Sequence, residues 1–366
     1  VIKKVLKYGA LGIVGLVVVV LASALLYRKY LQHEVSEERA IRSPGGIQSL
    51  DAVRIGGIDQ WIEVRGQNVN NPILLFIHGG PGVAFIPIAG AFQDPWEKDF
   101  TVVQWDQRGA GKTYGSNDRE LQRRTMNVAQ MQQDTVEVVN YLRTRFKREK
   151  IFVVGHSWGS LLGLWLAHEH PEAIYAYVGT GQVVNMERNE GAGYRDALQE
   201  ARNRHNEKAV QELESLTPYP AAEPDFTKSS TVRNWEAQLL GPPPGSGPAF
   251  LDLRRILTGV VSTPEYSLAD DYGWMKGQLF ALQTLFGGVM KMNLETLGTD
   301  YREPVFFFEG RYDPYCRPQP VLDYSLAMKA PQKEFVWFEN SGHFPFYEER
   351  EKFRQELVER VLPLAK

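Results

Sequence analysis

Ile151-Phe152-Val153-Val154-Gly155-His156-Ser157-Trp158-Gly159-Ser160-Leu161-Leu162 decides how this chain is read. Residues 151–154 are an apolar, β-branched run, too short for a helix and suited to a strand buried on both faces. The next five residues fit G-x-S-x-G, a sharp turn that presents a serine hydroxyl at the end of a strand. Both glycines have a physical reason: the turn is strained, and backbones must pass closely on either side of Ser157. Leu161, Leu162, Leu164, Trp165, Leu166 and Ala167 then form a helical apolar stripe. Such a helix points its N-terminus at Ser157, where its partial positive charge favours an oxyanion. A plain surface turn matches the same five letters; the strand before and the helix after separate the two readings. A nucleophile in this setting demands an acid, and then a histidine, further along the chain.

Upstream, residues 73–77 read as another buried strand, followed at once by His78-Gly79-Gly80-Pro81-Gly82. Three glycines and a proline leave backbone N–H groups uncovered, which suits an oxyanion hole built from Gly79 or Gly80 together with Trp158. Residues 53–56 and 58–64 form a hairpin signal around Gly56-Gly57. Residues 100–105 are a strand entering the charged turn Asp106-Gln107-Arg108-Gly109-Ala110-Gly111. Asp106 and Arg108 are expected to pair and shape that turn rather than to act on a substrate. Residues 128–146 carry apolar positions at helical spacing, and 175–179 read as the next strand. Strands alternating with helices predict an α/β class, with a mostly parallel sheet and helices on both faces.

Downstream the alternation stops. Residues 183–298 are polar, helical and loop-rich, and read as an insertion that caps the site. Gly241-Pro242-Pro243-Pro244-Gly245-Ser246-Gly247-Pro248 is expected to be a stiff linker within it. Trp235, Tyr266, Tyr272, Trp274, Phe280 and Phe286 either line a pocket or form the insertion's own core, the second being expected for most. The sheet resumes at 304–310, and Asp313 lies just past that strand's end, where catalytic groups gather in parallel sheets. A last strand at 334–338 leads to Asn340-Ser341-Gly342-His343-Phe344-Pro345 and a closing helix over 348–361. Asp300 and Glu303 precede their strand and Asp323 falls on a helix, so Asp313 is preferred as the acid. His343 is the sole histidine after His205. Ser157, Asp313 and His343 thus follow in the order the elbow demands. In this reading His343 takes the Ser157 proton during attack on a carbonyl carbon, and Asp313 fixes the imidazole tautomer.

The bulk properties bound the rest. The 366 residues are 43% hydrophobic and 23% charged, the composition of an ordinary globular chain. A net charge of −3 with no basic stripe argues against nucleic acid as a partner. One cysteine, Cys316, excludes an internal disulfide framework, and the 7 histidines show no ligand spacing, so no metal or cofactor is expected. Residues 9–27 carry no charge, and as helix they span ~28 Å, about the hydrocarbon thickness of a bilayer. Lys3, Lys4 and Lys7 precede this run, Arg28 and Lys29 follow it, and Tyr8, Tyr27 and Tyr30 stand at its ends. It reads as a single-pass anchor; a secretory signal cut near Ala22-Ser23-Ala24 is the alternative. Basic residues flank both ends and leave both orientations open; the slight excess on the N-terminal side favours a catalytic part outside the cytoplasm. Residues 31–42 read as a helical or loose stalk. The organisation is therefore 1–35 anchor or signal plus stalk, 36–182 core, 183–298 insertion, and 299–366 core.

Together, His78-Gly79-Gly80-Pro81-Gly82, Trp105-Asp106-Gln107-Arg108-Gly109, Gly155-His156-Ser157-Trp158-Gly159-Ser160, Asp313 and Gly342-His343 resemble the prolyl iminopeptidase branch of the α/β-hydrolase fold. The likeness covers residues 51–181 and 304–366. It implies an eight-stranded, mostly parallel sheet with an inserted helical cap. It further implies a cytosolic serine aminopeptidase that removes N-terminal proline from a small-molecule or short-peptide substrate. Cap carboxylates hold the substrate α-ammonium in that family. Glu187 and Glu190, just after the sixth strand, are the candidates here, with solvated helix charges as the plainer reading. The chain departs from the family in its membrane segment, in His156 where a small residue is common, and in its cap. A membrane-associated carboxylesterase or lipid-ester hydrolase is the alternative function, and a non-catalytic binding protein on the same fold is a third. Oligomeric state is not written in the sequence.

Overall fold

Eight strands form one sheet in the computed structural model, which describes residues 2–243 and 253–365. They are β1 (Ile47–Ile55), β2 (Ile58–Gly66), β3 (Ile73–Ile77), β4 (Thr101–Asp106), β5 (Ile151–His156), β6 (Ile174–Thr180), β7 (Val305–Gly310) and β8 (Lys333–Phe338). Their order across the sheet is β1-β2-β4-β3-β5-β6-β7-β8. The β1–β2 hairpin turns at Gly56-Gly57, both at positive φ, and β2 meets β4 antiparallel. Every later pairing is parallel. The expected α/β architecture and each expected strand are present, with ends shifted by a few residues.

The apolar runs are continuous because both faces of the central strands are covered. Successive side chains of β3 alternate: Leu75 enters a core with Val153, Leu162 and Val139, while Leu74 and Phe76 enter one with Phe152, Val154 and Phe346. The helix Val128–Phe146 packs in the first core; Asn127 caps it by accepting from Gln130 N–H, and Lys147 ends it in a left-handed conformation. The helix Trp158–Glu169 follows β5 directly and is buried along most of its length.

Between β6 and β7 lie the helices Met186–Asn203, Glu207–Glu214, Phe226–Leu239, Leu253–Ser262 and Leu268–Val289. The first three share a small core that includes Ala197, Leu213, Val232 and Trp235. The long helix Leu268–Val289 starts with a reciprocal Ser267–Asp270 capping box and packs on the loops that follow β3 and β4. There a Cβ on Gly277 would lie 2.7 Å from the Gly109 carbonyl oxygen, so only glycine permits this approach. Of the expected linker, residues 244–248 lie outside the described residues.

Two expectations change at the chain ends. The stalk is not a separate element: one helix runs from Ile2 through Glu38. Its far end is docked, with Gln32 buried and donating to the carbonyls of Thr263 and Tyr266. The closing helix is broken. A short turn, Pro345–Glu348, precedes the helix Arg350–Glu356, which passes into a wider turn over Leu357–Val361. The break occurs where Glu348 and Glu349 turn back, accepting from Gly342 N–H and from Asn340 N–H and the Ser341 hydroxyl. Those bonds hold the loop that carries His343.

Candidate active site

Ser157 sits between β5 and its helix at φ 53° and ψ −120°, a region that side-chain-bearing residues rarely occupy. The turn is pinned on both sides. Ser157 N–H donates to Thr180 O at 3.1 Å, and Ser160 N–H donates to Ser157 O at 2.9 Å. A Cβ on Gly159 would lie 2.1 Å from Ile77 O, which explains the second glycine of the motif. The Gly79 loop presses against the serine, since a Cβ there would fall 2.8 Å from Ser157 Cβ. The two loops expected to form an oxyanion hole are therefore side by side.

Asp313 and His343 meet. His343 Nδ1–H donates to Asp313 Oδ2 at 2.7 Å, so Nε2 is the ring nitrogen not bound to Asp313. The other carboxylate oxygen accepts from Tyr315 N–H and Cys316 N–H, each at 2.8 Å, so Asp313 is fully buried yet satisfied. Ser157, Trp158, Gly79, Gly80 and His343 all line one cavity of about 650 Å³. Asp300, Glu303 and Asp323 stay outside this arrangement, Glu303 pairing with Lys150.

The residues that hold these loops were less legible. Gln107 is a tie: its Nε2–H donates to His78 O at 2.9 Å and its Oε1 accepts from Trp158 Nε1–H at 3.0 Å. It thereby couples the glycine loop to the serine turn. Burial lowers the His78 imidazole to about 4, so it stays neutral, with Nδ1–H donating to Gly79 O. Burial likewise holds His156 well below its ordinary value. Its Nε2–H donates to His343 O at 2.9 Å, and its ring packs among Phe85, Phe344 and Phe346. The unusual histidine of the motif thus props the His343 loop. Glu309, at the end of β7, accepts from Gln182 N–H at 3.1 Å and is pushed well above the ordinary carboxylate range by burial and then by Asp313. A charged residue closing the apolar run 305–308 was the only sequence signal for it.

The expected Asp106–Arg108 pair does not form. Arg108 pairs with Asp134 on the helix Val128–Phe146 at 2.9 Å, both side chains fully buried. Asp106 instead accepts from Lys112 N–H at 2.8 Å and from the Tyr266 hydroxyl. Arg108 lies past the end of β4, in the turn, and its guanidinium reaches both Asp134 and the Gly56 carbonyl of the β1–β2 hairpin.

The two candidate substrate acids separate. Glu187 is exposed and borders a different cavity, of about 280 Å³, with Asn185 and Met292. Glu190 is buried and does line the Ser157 cavity. Its carboxylate accepts from Arg233 and from the Tyr219 hydroxyl. Arg233 also pairs with Glu236 at 3.2 Å, and burial pushes Glu236 up to about 8. Sequence reasoning missed Arg233 and Glu236, which sit on a helix without a motif. Of the six aromatics, Trp274 and Phe286 line the cavity, Trp235 lies in the insertion's core, and Tyr266 binds Asp106. Phe280 packs on Tyr114, and Tyr272 is exposed.

Asp313, Cys316 and His343 place potential ligand atoms within 4.8 Å of one another. The Asp313 oxygens are already committed to three N–H donors, one of them His343 Nδ1–H. Cys316 is buried against Ser157, and burial raises its thiol well above the ordinary value, keeping it protonated. It is no rival nucleophile.

Comparison with known proteins agrees with this fold. Residues 72–350 match the model of the alpha/beta hydrolase fold family. A probable aminopeptidase of Bacillus subtilis is 30% identical over 325 residues, covering 85% of this chain and 95% of that protein. Among solved structures, a proline iminopeptidase-related protein of Thermus thermophilus superposes with a TM-score of 0.59 at 18% identity, covering 87% of this chain and 99% of its own. A bacterial membrane phospholipase A superposes with a TM-score of 0.60 at 18% identity, covering 98% of this chain and 99% of its own. The chain belongs to the α/β-hydrolase fold family, and its named relatives are peptidase-like hydrolases.

Proposed function

We propose that this α/β hydrolase is a serine hydrolase that cleaves a small amide or a peptide N-terminus through an acyl-enzyme on Ser157. The observation that carries the proposal is the 2.7 Å His343–Asp313 pair, whose His343 lines one cavity with the strained Ser157. Ser157 Oγ attacks the carbonyl carbon while His343 Nε2 takes its proton. The oxyanion is held by Trp158 N–H and by Gly79 or Gly80 N–H, each such donor contributing about 3 kcal/mol to the transition state. The imidazolium, stabilised by Asp313, returns the proton to the leaving amine, and water then attacks the acyl-enzyme. The name of the Bacillus subtilis relative supports an aminopeptidase reading. Glu190 is the acid that lines this cavity and would meet an α-ammonium there.

A second reading, a membrane-associated esterase acting on lipid-like esters, is favoured by one feature. Glu190 is already engaged by Arg233, and much of the cavity wall is apolar, with Leu161, Met186, Leu282, Phe286 and Val289. In either reading residues 1–35 anchor the chain as a single membrane pass, the catalytic part lies on the extracytoplasmic side, and residues 183–298 cap the site.

The test is a panel of proline and other amino-acid arylamides run beside p-nitrophenyl esters of several chain lengths. The aminopeptidase reading expects amide cleavage that needs a free α-amine and falls at least about 100-fold in Glu190→Gln. Ester turnover indifferent to Glu190→Gln, with no amide cleavage, would select the second reading. Ser157→Ala is expected to abolish both activities in folded protein.

A further inference from the structure

The long helix Leu268–Val289 gives some of its apolar side chains to the cavity and leaves others exposed. Trp274, Gln278, Leu282 and Phe286 line the Ser157 cavity. Leu268, Tyr272, Met275 and Leu279, spaced four, three and four residues apart, fall within about 60° of one another on the helix. They are 54%, 51%, 57% and 50% exposed. Leu257 and Val261, one turn apart on the helix Leu253–Ser262, are also exposed large apolar residues. The acids at the start of the long helix are neutralised, Asp270 by Lys112 at 2.8 Å and Asp271 by Arg28 at 2.9 Å. Lys276 stands beside the stripe, its ammonium 5.7 Å from the Tyr272 ring centroid. An exposed apolar stripe with a cation beside it is a feature of surfaces that seat in a lipid interface.

What covers this face is indicated by the N-terminal helix. Arg28 is the first charged residue after the uncharged run 9–27, and it is the residue that pairs with Asp271. Arg28 also donates to Tyr266 O at 3.0 Å, just before the long helix begins. The end of the membrane-spanning run is thus fixed at the level of Leu268 and Tyr272. Tyr27 and Tyr30, both exposed, stand at the same level, as aromatics do at a bilayer boundary. A groove of about 230 Å³, lined by Val35, Glu38, Gly259 and Thr263, lies along the base of the N-terminal helix. It shares Ile88 and Ile256 with the wall of the Ser157 cavity.

We propose that the Leu268–Tyr272–Met275–Leu279 face is a bilayer-docking surface, continuous with the N-terminal helix, that holds the cavity entrance against the membrane. Substrates then enter from the lipid phase along the groove at Ile88 and Ile256. The substrate class is an amphiphilic acyl compound, ester or amide, that partitions into the bilayer. The proposal rests on the anchor reading of residues 9–27 and on the serine hydrolase reading of Ser157.

The test uses the full chain in phosphatidylcholine vesicles containing phosphatidylglycerol. Bimane is attached in turn to Met275→Cys, Leu279→Cys, Leu16→Cys and Lys208→Cys, and quenching by doxyl-labelled lipid is read, with the wild-type chain as the control for Cys316. Quenching at 16, 275 and 279 but not at 208 is expected. Quenching at 16 alone overturns the docking surface and leaves the anchor standing. Absence of quenching at 16 overturns the anchor and the docking surface together. In parallel, the triple variant Tyr272→Asp/Met275→Asp/Leu279→Asp is expected to lose about tenfold or more in turnover of a long-chain acyl ester carried in vesicles, with turnover of a water-soluble acetyl ester unchanged. Equal rates on the vesicle-borne ester for variant and wild type would overturn the proposal. Failure of wild-type chain to turn over either ester or the arylamides would count against the hydrolase reading and leave the quenching result to judge the surface.

Discussion

Glu309 shows how much of the site is carried by residues that never touch a substrate. It is buried beside Asp313, its carboxyl is held well above the ordinary range, and it accepts from Gln182 N–H. A protonated carboxyl and an amide are close in shape, so Glu309→Gln is expected to keep kcat within about threefold of wild type, whereas Glu309→Leu strands the buried N–H and lowers stability by about 1–3 kcal/mol. Steady-state kinetics and thermal unfolding of both variants check this; a large kcat loss in Glu309→Gln would mean that the negative charge itself is needed. At this scale the sequence showed the residues that have a fixed order: Ser157, Asp313 and His343. It did not show Gln107, Arg233, Glu236 or Glu309, because their roles depend on partners brought together by folding. Glu187 and Glu190 illustrate the same limit. They look alike in the sequence, three residues apart on the helix Met186–Asn203, yet only Glu190 borders the Ser157 cavity.

At the scale of elements, the turn after β4 is the most informative departure. Its acid and its guanidinium face different neighbours, Asp106 the inserted Tyr266 and Arg108 the helix Val128–Phe146. Burial pushes the Asp106 carboxyl up to about 7 from an ordinary 3.8. A carboxyl raised in the folded state favours folding below its unfolded value and loses that advantage as pH rises toward the folded one. Asp106→Asn removes this dependence, so its stability relative to wild type should rise by up to about 1.4 kcal/mol per pH unit between roughly pH 4 and pH 7. Denaturant unfolding of both proteins across that range measures it, and a difference independent of pH would contradict the burial argument. The strands themselves were legible because their apolar runs are short, dense and bounded by glycine or charge. The closing helix was not, since helical periodicity runs on through Glu348 and Glu349 while their side chains leave to hold the His343 loop.

For the whole molecule, the sequence conveyed an apolar N-terminal segment and a sheet domain as separate units, with a stalk between them. Arg28 and Gln32 instead dock the end of the N-terminal helix onto the inserted helices. The Arg28–Asp271 pair is mostly buried, so Arg28→Ala leaves an unpaired acid and should cost about 2–4 kcal/mol. An unchanged unfolding midpoint of Arg28→Ala in detergent micelles would show that the two units are independent. The insertion and the sheet converge on one cavity at the carboxyl ends of the parallel strands. Activation of Ser157 by His343 is the centre of the proposed chemistry. Mass spectrometry of the full chain after treatment with a fluorophosphonate measures this directly. A single adduct on Ser157, formed at least about 100-fold more slowly in His343→Ala, is the predicted result. No adduct on folded wild-type chain, or labelling of Ser157 at the same rate in His343→Ala, would contradict it.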